Sequence, residues 1–557
     1  MKVDYIIKNA NVFTSDVNQR NASAFAVKDG KFVYVGDEKG LESFEGEIRD
    51  LGGAFVMPGI IDSHQHIAVS AAIEYTPELV MIEGDGKEKC LNFIQNYIEA
   101  NPGRNIYKFV LPFYFLHGEI LTCKDLDEIC SDAQIVIMEA VGHSGWVNSK
   151  VLHDFNMTDD VEDIAPNLSR YDKDENGKLT GFSTEAAFQP FNFEFAKDLT
   201  DEQLRKALNR YVDYCMKMGI TCVYEAGTPE SIGLHDRVLQ ILCDMDREEK
   251  LPITIESSYM IMDPRQIEGC IDALKEMDKK YNTEHVRCHI MKLMMDGIVA
   301  GRSAAMIEPY DDGTFGGRIT DEVTLSELLV RLNEEKIDFH THTVGELAAK
   351  TVLDAVELAQ KKVGGELDIN ITMAHLAVVR EEDILRIARL GIIANFTPAW
   401  HGGGALQGGV AAMTAILGEK RGTDPYKCGT AWKEGALVTF SSDNTAFFDF
   451  SGWSPYQGME VGILRKDIEF ANVPGDYSTA EFIPQECECM TIEQMLLGYT
   501  INGAKQLRLD KTKGSIEEGK DADYIILKEN LLSIRAEGIR NIVPKAVFYK
   551  GERKKLS

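Results

Sequence analysis

Positive charge is scarce in this sequence. Lys and Arg total 59 against 89 Asp and Glu in 557 residues, which gives a formal net charge of −30 at pH 7. Nucleic acids and anionic membranes are bound through clustered basic side chains, so this balance argues against both as partners. The net charge does not exclude a small-molecule substrate, because the electrostatic field inside a pocket can differ from that of the whole protein.

Long apolar runs are missing as well. No window of the sequence approaches the roughly 20 apolar residues that a membrane-spanning helix requires. Residues 1–8 contain an acidic side chain and only a short apolar piece, which does not fit a secretory signal. We therefore expect a cytoplasmic protein.

The sequence also lacks the two cysteine pairs of a structural zinc site and a glycine-rich phosphate loop. Its eleven cysteines are odd in number and scattered, which is typical of reduced thiols in a cytosol. Cys487 and Cys489 form a close pair, but a structural zinc site needs a second pair. The missing phosphate fingerprint disfavours a nucleotide-binding open sheet.

Both ends of the chain contain short strand-like runs separated by turn residues. Asp29-Gly30 lies between two such runs, as in a β-hairpin. Apolar residues make up 44% of the chain, and its length allows a large core and two domains. Two strand-rich ends around a mixed middle predict one discontinuous β-sandwich, formed by residues 1–57 and 501–557.

The middle of the chain, residues 58–500, alternates apolar strands with amphipathic helices. Helices are predicted at residues 346–359 and 381–390, and each is followed by a strand. Repeated units of this kind predict an α/β fold with a parallel sheet, and their number favours a (β/α)8 TIM-like barrel. A doubly wound open sheet is the alternative. Residues 80–200 do not fit the repeat, and we expect them to be an elaborated region of the barrel.

Two histidines follow an apolar strand near the start of this middle part. Residues 57–66 read Met-Pro-Gly-Ile-Ile-Asp-Ser-His-Gln-His, so His64 and His66 are two positions apart. Side chains at i and i+2 of a strand point to the same face. The two imidazoles can therefore reach one metal ion.

Other polar residues occur where further strands are predicted to end, which is where functional residues of such barrels lie. Lys292 either extends its amine to solvent or has a functional role, because a charged, unpaired lysine in an apolar strand is costly. His340 shares a face with His342 one layer deeper, which predicts a hydrogen-bonded core or supporting residue. His375 alone would be read as structural. Burying the carboxylate of Asp443 costs free energy unless a positive charge offsets it, and a metal ion would supply that charge.

These positions match motifs of a known family. Residues 58–66 closely resemble the opening signature of the amidohydrolase superfamily, and Lys292, His342, His375 and Asp443 match its later motifs in order. Residues 142–149, Gly-His-Ser-Gly-Trp-Val-Asn-Ser, resemble the branch that includes N-substituted formamide deformylases. Residues 514–523 resemble the family's C-terminal turn, in which Asp523 would be structural.

The resemblance implies a complete metal-ligand set and a carbamylated Lys292 that can bridge two ions. Imidazole and carboxylate ligands without thiolates suit zinc, manganese or iron, with zinc foremost and one or two ions per chain. The implied ligands are His64, His66, Lys292, His342, His375 and Asp443.

The implied activity is hydrolysis of a non-peptide carbon–nitrogen bond of a small molecule by metal-bound hydroxide, with Asp443 as proton carrier. His143 and Trp146 are expected to line the substrate pocket, although a packing role for Trp146 fits equally well. A regulatory or binding protein on the same fold remains an alternative, since some similar proteins are regulators of exoenzyme production. A metal-dependent lactone, ester or phosphoester hydrolase is another. A homodimer is expected by analogy alone.

Overall fold

The computed structural model describes residues 1–140, 142–402, 409–444, 454–466 and 486–554. Strands β1 to β24 and helices α1 to α17 of these residues are numbered along the chain. They form four sheets, which belong to a barrel, a two-sheet unit made by both ends of the chain, and an inserted sheet.

Eight parallel strands form the central sheet, and helices cover its outer face, so the strands are buried on both sides. They are β8 (Ile60–Gln65), β15 (Ile220–Glu225), β16 (Thr254–Ile261), β17 (Val286–Met294), β18 (Phe339–Thr343), β19 (Ile371–His375), β20 (Ile393–Phe396) and β21 (Leu437–Phe440). Neighbours pair in parallel from β8 through β15 to β21. Across the remaining seam, the Ser63 hydroxyl donates to the carbonyl of Phe440 at 2.7 Å. This near-closed barrel confirms the TIM-like prediction, and the open-sheet alternative is wrong.

Several helices begin at side chains that cap their first turn, and some end at a residue with positive φ. In the helix at residues 201–218, Thr200 and Gln203 form a capping box at the start, and Gly219 ends it with a φ of 77°. The α-helices are α1 (Ile67–Ile73), α2 (Lys87–Ala100), α3 (Cys123–Ile129), α4 (Ser149–Asp154), α5 (Gln189–Asn192), α6 (Asp201–Met218), α7 (His235–Arg247), α8 (Cys270–Lys280), α9 (Glu322–Glu335), α10 (Glu346–Val363), α11 (Glu381–Arg389), α12 (Gly409–Leu417), α13 (Glu419–Gly422), α14 (Cys428–Lys433), α15 (Pro455–Leu464), α16 (Ile492–Leu497) and α17 (Gly503–Gln506). Helices α10 and α11 confirm the two predicted at 346–359 and 381–390. Within the described ranges, no helix has the length and apolarity to cross a bilayer.

Both ends of the chain contribute to one unit of two sheets. Its strands are β1 (Lys2–Lys8), β2 (Asn11–Phe13), β3 (Asn21–Ala22), β4 (Ala24–Lys28), β5 (Lys31–Gly36), β6 (Glu45–Asp50), β7 (Phe55–Pro58), β22 (Tyr524–Leu527), β23 (Ala546–Tyr549) and β24 (Glu552–Lys554). The two ends join because β7 pairs antiparallel with β22. Asp29 and Gly30, with φ of 51° and 76°, form the tight turn between β4 and β5. A separate domain built from both ends is therefore confirmed.

A third region lies between the first two barrel strands in the sequence. It has six strands, β9 (Leu79–Met81), β10 (Ile106–Leu111), β11 (Gln134–Glu139), β12 (Ser144–Val147), β13 (Tyr171–Lys173) and β14 (Leu179–Thr184). Their order is β13-β14-β12-β11-β10-β9, and no barrel strand is part of this sheet. Apolar side chains of β10, β11 and β12 pack with α2 and α3 into a core of their own. The region that the barrel repeat does not explain thus contains an independent sheet.

Candidate metal centre

The carboxyl ends of the barrel strands bring the predicted ligands together. His64 belongs to β8, Lys292 to β17, His342 to β18 and His375 to β19, while Asp443 follows β21. The His375 ring centroid lies 4.6 Å from that of His342 and 4.9 Å from that of His64. Residues that are far apart in sequence therefore meet at one end of the barrel, as the architecture predicts.

Three ligand atoms converge most closely. The Asp443 Oδ1 atom lies 3.5 Å from His64 Nε2 and 3.3 Å from His66 Nε2. All three atoms lie within 4.8 Å of one another, and they form the single three-residue group of this kind in the described part of the chain. Ligand atoms about 2.1 Å from a tetrahedral zinc ion lie about 3.4 Å apart, so these spacings suit a shared divalent ion.

Hydrogen bonds orient the rings of His64 and His66 so that one nitrogen of each remains available to a metal. His66 Nδ1 donates to the carbonyl of Gly227 at 2.7 Å, which leaves Nε2 as its free ligand atom. His64 Nδ1 lies 3.0 Å from His340 Nε2, so a hydrogen on that Nδ1 likewise frees Nε2. The prediction that His340 is a hydrogen-bonded supporting residue is confirmed.

The electrostatic environment favours the ligand forms of most of these side chains, while the hydrogen bond and charge of Asp443 outweigh burial and raise the pKa of His66. Burial lowers the pKa of four imidazoles well below the ordinary value, which keeps them neutral. Burial alone would raise the pKa of Asp443, but the nearby His66 imidazole lowers it overall. A neutral imidazole and an ionised carboxyl are the forms that bind metals. The four imidazoles are those of His64, His340, His342 and His375.

Two further features show that the protein side chains alone do not satisfy this site. His375 Nδ1 and Asp443 Oδ1 are buried without a hydrogen bond of normal geometry. The same two residues have positive φ angles, 76° and 51°, which cost energy in residues other than glycine. A divalent cation would engage the unpaired atoms, and the oxygen and nitrogen donor set fits such an ion.

Lys292 lies within this cluster. The residue is only 1% exposed, so its amine does not extend to solvent, and Nζ lies 3.4 Å from His64 Nε2. Burial lowers the pKa of Lys292 to about 7. A substantial fraction of its amine is therefore neutral at physiological pH.

Asp296 is a supporting residue to which the sequence motif gave no role. Its carboxylate accepts hydrogen bonds from the backbone N–H groups of Ala305, Val344 and Gly345 at 3.0, 2.9 and 2.8 Å. Oδ1 also lies 3.4 Å from His342 Nδ1. Burial raises the pKa of Asp296 to about 8. Because its carboxyl group accepts hydrogen bonds from the turn after β18, Asp296 holds the end of the strand that contains His342.

The two residues predicted to line the pocket occupy different surroundings. The His143 ring lies 6.1 Å from the His342 ring, at the metal side of the barrel. Trp146 is buried in the inserted sheet, with ring centroids 5.2 Å from Phe113 and 5.1 Å from Phe182. Trp146 therefore packs in the core of the inserted sheet, whereas His143 lies beside the ligand cluster.

Comparison with known proteins identifies related sequences. The sequence profile described as the amidohydrolase family matches residues 47–553. An exoenzymes regulatory protein of Pectobacterium carotovorum subsp. carotovorum is 26% identical over 454 residues, which cover 78% of this chain and 92% of that protein. An N-substituted formamide deformylase of Arthrobacter pascens is 23% identical over 561 residues, covering 97% and 96% of the two chains.

Solved structures share the fold. An uncharacterized metal-dependent hydrolase from Pyrococcus horikoshii OT3 superposes with a TM-score of 0.64 at 21% identity, over 96% of this chain and 99% of that one. An adenosine deaminase from Xanthomonas campestris with bound zinc gives a TM-score of 0.51 at 13% identity, over 99% and 93%. Since the family profile spans nearly the whole length, this chain belongs to the amidohydrolase family.

Proposed function

We propose that the protein is a metal-dependent hydrolase that cleaves a non-peptide carbon–nitrogen bond of a small molecule. The observation that carries this proposal is the convergence of His64 Nε2, His66 Nε2 and Asp443 Oδ1. The similarity to an N-substituted formamide deformylase over nearly all of both chains supports an amide-type substrate.

The proposed metal ligands, with Lys292 included, would come from five barrel strands or their ends. His64, His66 and Asp443 would hold one ion, while His342 and His375 lie beside them as further ligands. Zinc is the ion we propose first. A divalent ion bound here would polarise the substrate carbonyl and lower the pKa of a water molecule.

Lys292 would supply a bridging ligand after reaction with carbon dioxide. Its neutral amine attacks the carbon of CO2, a nitrogen–carbon bond forms, and one proton leaves the nitrogen. The product is a carbamate, whose oxygens can each bind a cation. The proximity of Nζ to His64 Nε2 and the pKa near 7 support this step, and the resulting site would hold two ions.

Asp443 would carry the proton between water and the leaving group. Its carboxylate accepts a proton from the attacking water, whose oxygen bonds to the substrate carbonyl carbon. The carbon–nitrogen bond then breaks, its electron pair stays on nitrogen, and the proton passes from Asp443 to that nitrogen. The products are a carboxylic acid and an amine.

Metal content tests the proposal first. We expect about two zinc ions per chain, by inductively coupled plasma mass spectrometry, in protein purified without added metal or chelator. One ion per chain would retain the hydrolase and contradict bridging by Lys292. No metal, and none taken up on reconstitution, would exclude the proposed function.

The role of Asp443 gives a second test. Asp443→Asn retains an oxygen ligand but cannot carry a proton, so we expect kcat to fall by at least about 10³-fold with nearly unchanged metal content. Asp368→Asn, which changes a largely exposed carboxylate that pairs with Lys336, is the matched control and should retain full turnover. Normal turnover by Asp443→Asn would remove this residue from the mechanism.

A regulatory role is the second candidate, because the similar protein of Pectobacterium carotovorum is described as a regulatory protein. Screening zinc-loaded protein against formamides, cyclic amides, lactones and phosphoesters separates the possibilities. Turnover of amides supports the proposed hydrolase, whereas turnover restricted to lactones or phosphoesters changes the substrate class. Full metal content without any turnover favours regulation.

A further inference from the structure

One of the ligand imidazoles lacks the polar partner that orients the others. His375 Nδ1 is buried, and no hydrogen bond reaches it from the described residues. The ring torsion of a histidine is broad when no partner fixes it. Orientation of the His375 ring therefore requires a contact of another kind. The other three ligand imidazoles each face a polar group at Nδ1, namely His340 behind His64, the Gly227 carbonyl behind His66, and Asp296 behind His342.

The backbone fixes where the His375 side chain starts but not how its ring is turned. His375 and Leu376 have positive φ angles of 76° and 47° at the end of β19, and such angles cost energy outside glycine. The N–H of Leu376 donates to the carbonyl of Thr343 at 2.9 Å, which ties this strained strand end to β18. These features determine the direction of the Cα–Cβ bond and leave the ring torsion free.

The indole of Trp400 lies against the His375 ring. The two ring centroids are 5.3 Å apart and the ring planes are inclined by 22°, which is an offset-stacked arrangement. Trp400 belongs to the 3₁₀-helical turn Pro398–Gly402, which follows the neighbouring barrel strand β20. Rotation of the imidazole would break this stacked contact. The indole thus restrains the torsion that the backbone leaves free.

A second stacked pair anchors the turn that contains Trp400. His401 is fully buried, and its ring stacks on that of Tyr426 with centroids 4.9 Å apart and planes inclined by 21°. The backbone N–H of Tyr426 donates to the carbonyl of Ala377 at 2.9 Å, two residues after His375. The turn is therefore joined to the end of β19 twice, once through Trp400 and once through His401.

We propose that Trp400 is the positioning residue of His375, and that its indole holds the imidazole in the orientation in which it binds the metal. A polar partner orients the other three ligand imidazoles, and a stacked ring does so at His375. This inference rests on the metal site of the proposed function. It adds a residue to which the ligand motifs give no role.

The stacking can be measured in metal-free protein. We expect the ring-proton signals of His375, identified by their absence in His375→Gln, to shift in Trp400→Leu, because the indole ring current acts on them. Trp432→Leu is the matched control, since it replaces another half-buried tryptophan, on α14, and should leave these signals in place. Unshifted His375 signals in Trp400→Leu would overturn the proposal.

Metal affinity tests the positioning role. We expect the Co²⁺ concentration that half-saturates the visible absorption of bound cobalt to rise at least about 10-fold in Trp400→Leu. The absorption spectrum should change as well, because one imidazole is no longer held towards the ion. Trp400→Phe retains a ring that can stack, so its affinity should stay within about 3-fold of that of the unaltered protein.

A merely structural role of Trp400 would give a different result. Both leucine variants remove packing and should shift the urea midpoint of the metal-free protein, but only Trp400→Leu should weaken cobalt binding. Equal losses of cobalt affinity in Trp400→Leu and Trp432→Leu would contradict the positioning role. If Trp400→Leu does not fold, Trp400→Phe provides the test, because its smaller ring current should also shift the His375 signals, and unchanged signals would contradict the stacking.

The outcomes separate this inference from the proposed function. Cobalt binding with the same affinity and spectrum in Trp400→Leu as in the unaltered protein contradicts the role of Trp400 and leaves the metal site intact. Failure of the unaltered protein to bind cobalt or zinc contradicts the proposed function, and the positioning role with it. Weaker binding in Trp400→Leu that is restored in Trp400→Phe supports both.

Discussion

Two buried lysines at opposite ends of the barrel exist in opposite electrostatic environments. Lys513, in the turn before β22, lies 2.6 Å from Asp523 and 3.4 Å from Asp521. Burial alone would lower the pKa of Lys513, but the two carboxylates raise it overall. Lys292 is equally buried, yet its nearest polar partner is a neutral histidine, and burial lowers its pKa to about 7.

The comparison shows how one residue type serves two purposes. An ion pair with Asp523 keeps Lys513 charged and joins the turn to the C-terminal strands. Without a carboxylate at hydrogen-bonding distance in the described part of the chain, Lys292 is partly neutral at physiological pH, which is the form that the proposed reaction with carbon dioxide requires. The partner, not the burial, separates a charged buried lysine from a partly neutral one.

Removing the charged partner should produce the largest effect. Lys513→Met leaves Asp523 buried without its cation, so we expect a loss of about 3–5 kcal/mol in unfolding free energy. Urea denaturation followed by circular dichroism measures this loss. The double variant Lys513→Met with Asp523→Leu should recover much of it, because no unpaired charge remains. Wild-type stability in the single variant would contradict the assigned ion pair.

The pH dependence of stability should distinguish the two lysines next. The folded pKa of Lys292, about 7, lies below the unfolded value near 10.4, so the unfolded state binds more protons between these pH values. The unfolding free energy of the metal-free protein should therefore rise relative to that of Lys292→Met, by up to about 1.4 kcal/mol per pH unit from pH 7.5 to 9.5.

The sign is opposite for Lys513, because its folded pKa is raised. The ion pair stabilises the fold fully below the unfolded pKa of Lys513, and this stabilisation is lost only as the pH rises through the folded pKa. The difference in unfolding free energy between the unaltered protein and Lys513→Met should therefore stay constant from pH 7.5 to 9.5. Urea titrations in carbon-dioxide-free buffer measure both differences. A flat difference for Lys292→Met would mean that its amine remains charged in the fold.

The smallest effect is expected at a third buried lysine. Burial lowers the pKa of Lys108 to about 7, but its amine donates to the backbone carbonyl and side-chain oxygen of Asn192, at 2.5 and 3.2 Å. Lys108→Met should cost about 1 kcal/mol and leave the metal content unchanged. Lys292→Met should lose at least one ion per chain. Equal metal loss in both variants would contradict a specific role for Lys292.

The sequence was informative wherever local pattern decides structure. Helices α10 and α11 and the strand ends at His342 and His375 follow from periodicity and from the rule that barrel ligands lie after strands. The ion pair of Asp523 agrees with the structural role that its motif implied. In these places, neighbouring residues contain enough information to place the side chain.

Other features depend on residues far away in the sequence. Ser303 donates a hydrogen bond to Glu185, which lies 118 positions earlier in the sequence. This contact explains why residue 297 is a glycine, because a Cβ atom on Gly297 would lie 2.2 Å from both side chains. The inserted sheet contains short strands whose antiparallel and parallel partners cannot be chosen from periodicity. Trp146 illustrates the difficulty, because its motif fits a pocket and a packed core equally well until β14 is placed beside β12.

The seam of the barrel sets a limit on the order of events during synthesis. Asp62 accepts a hydrogen bond from the backbone of Ser442, 380 residues later, and the adjoining Asp443 completes the three-ligand group. Ribosomes add about 5–20 residues per second, so about 20–80 s separate the emergence of His64 from that of its carboxylate partner. Strand β7 must wait still longer for β22. The emerging chain therefore exposes half a metal site and an unpaired strand edge for most of its synthesis.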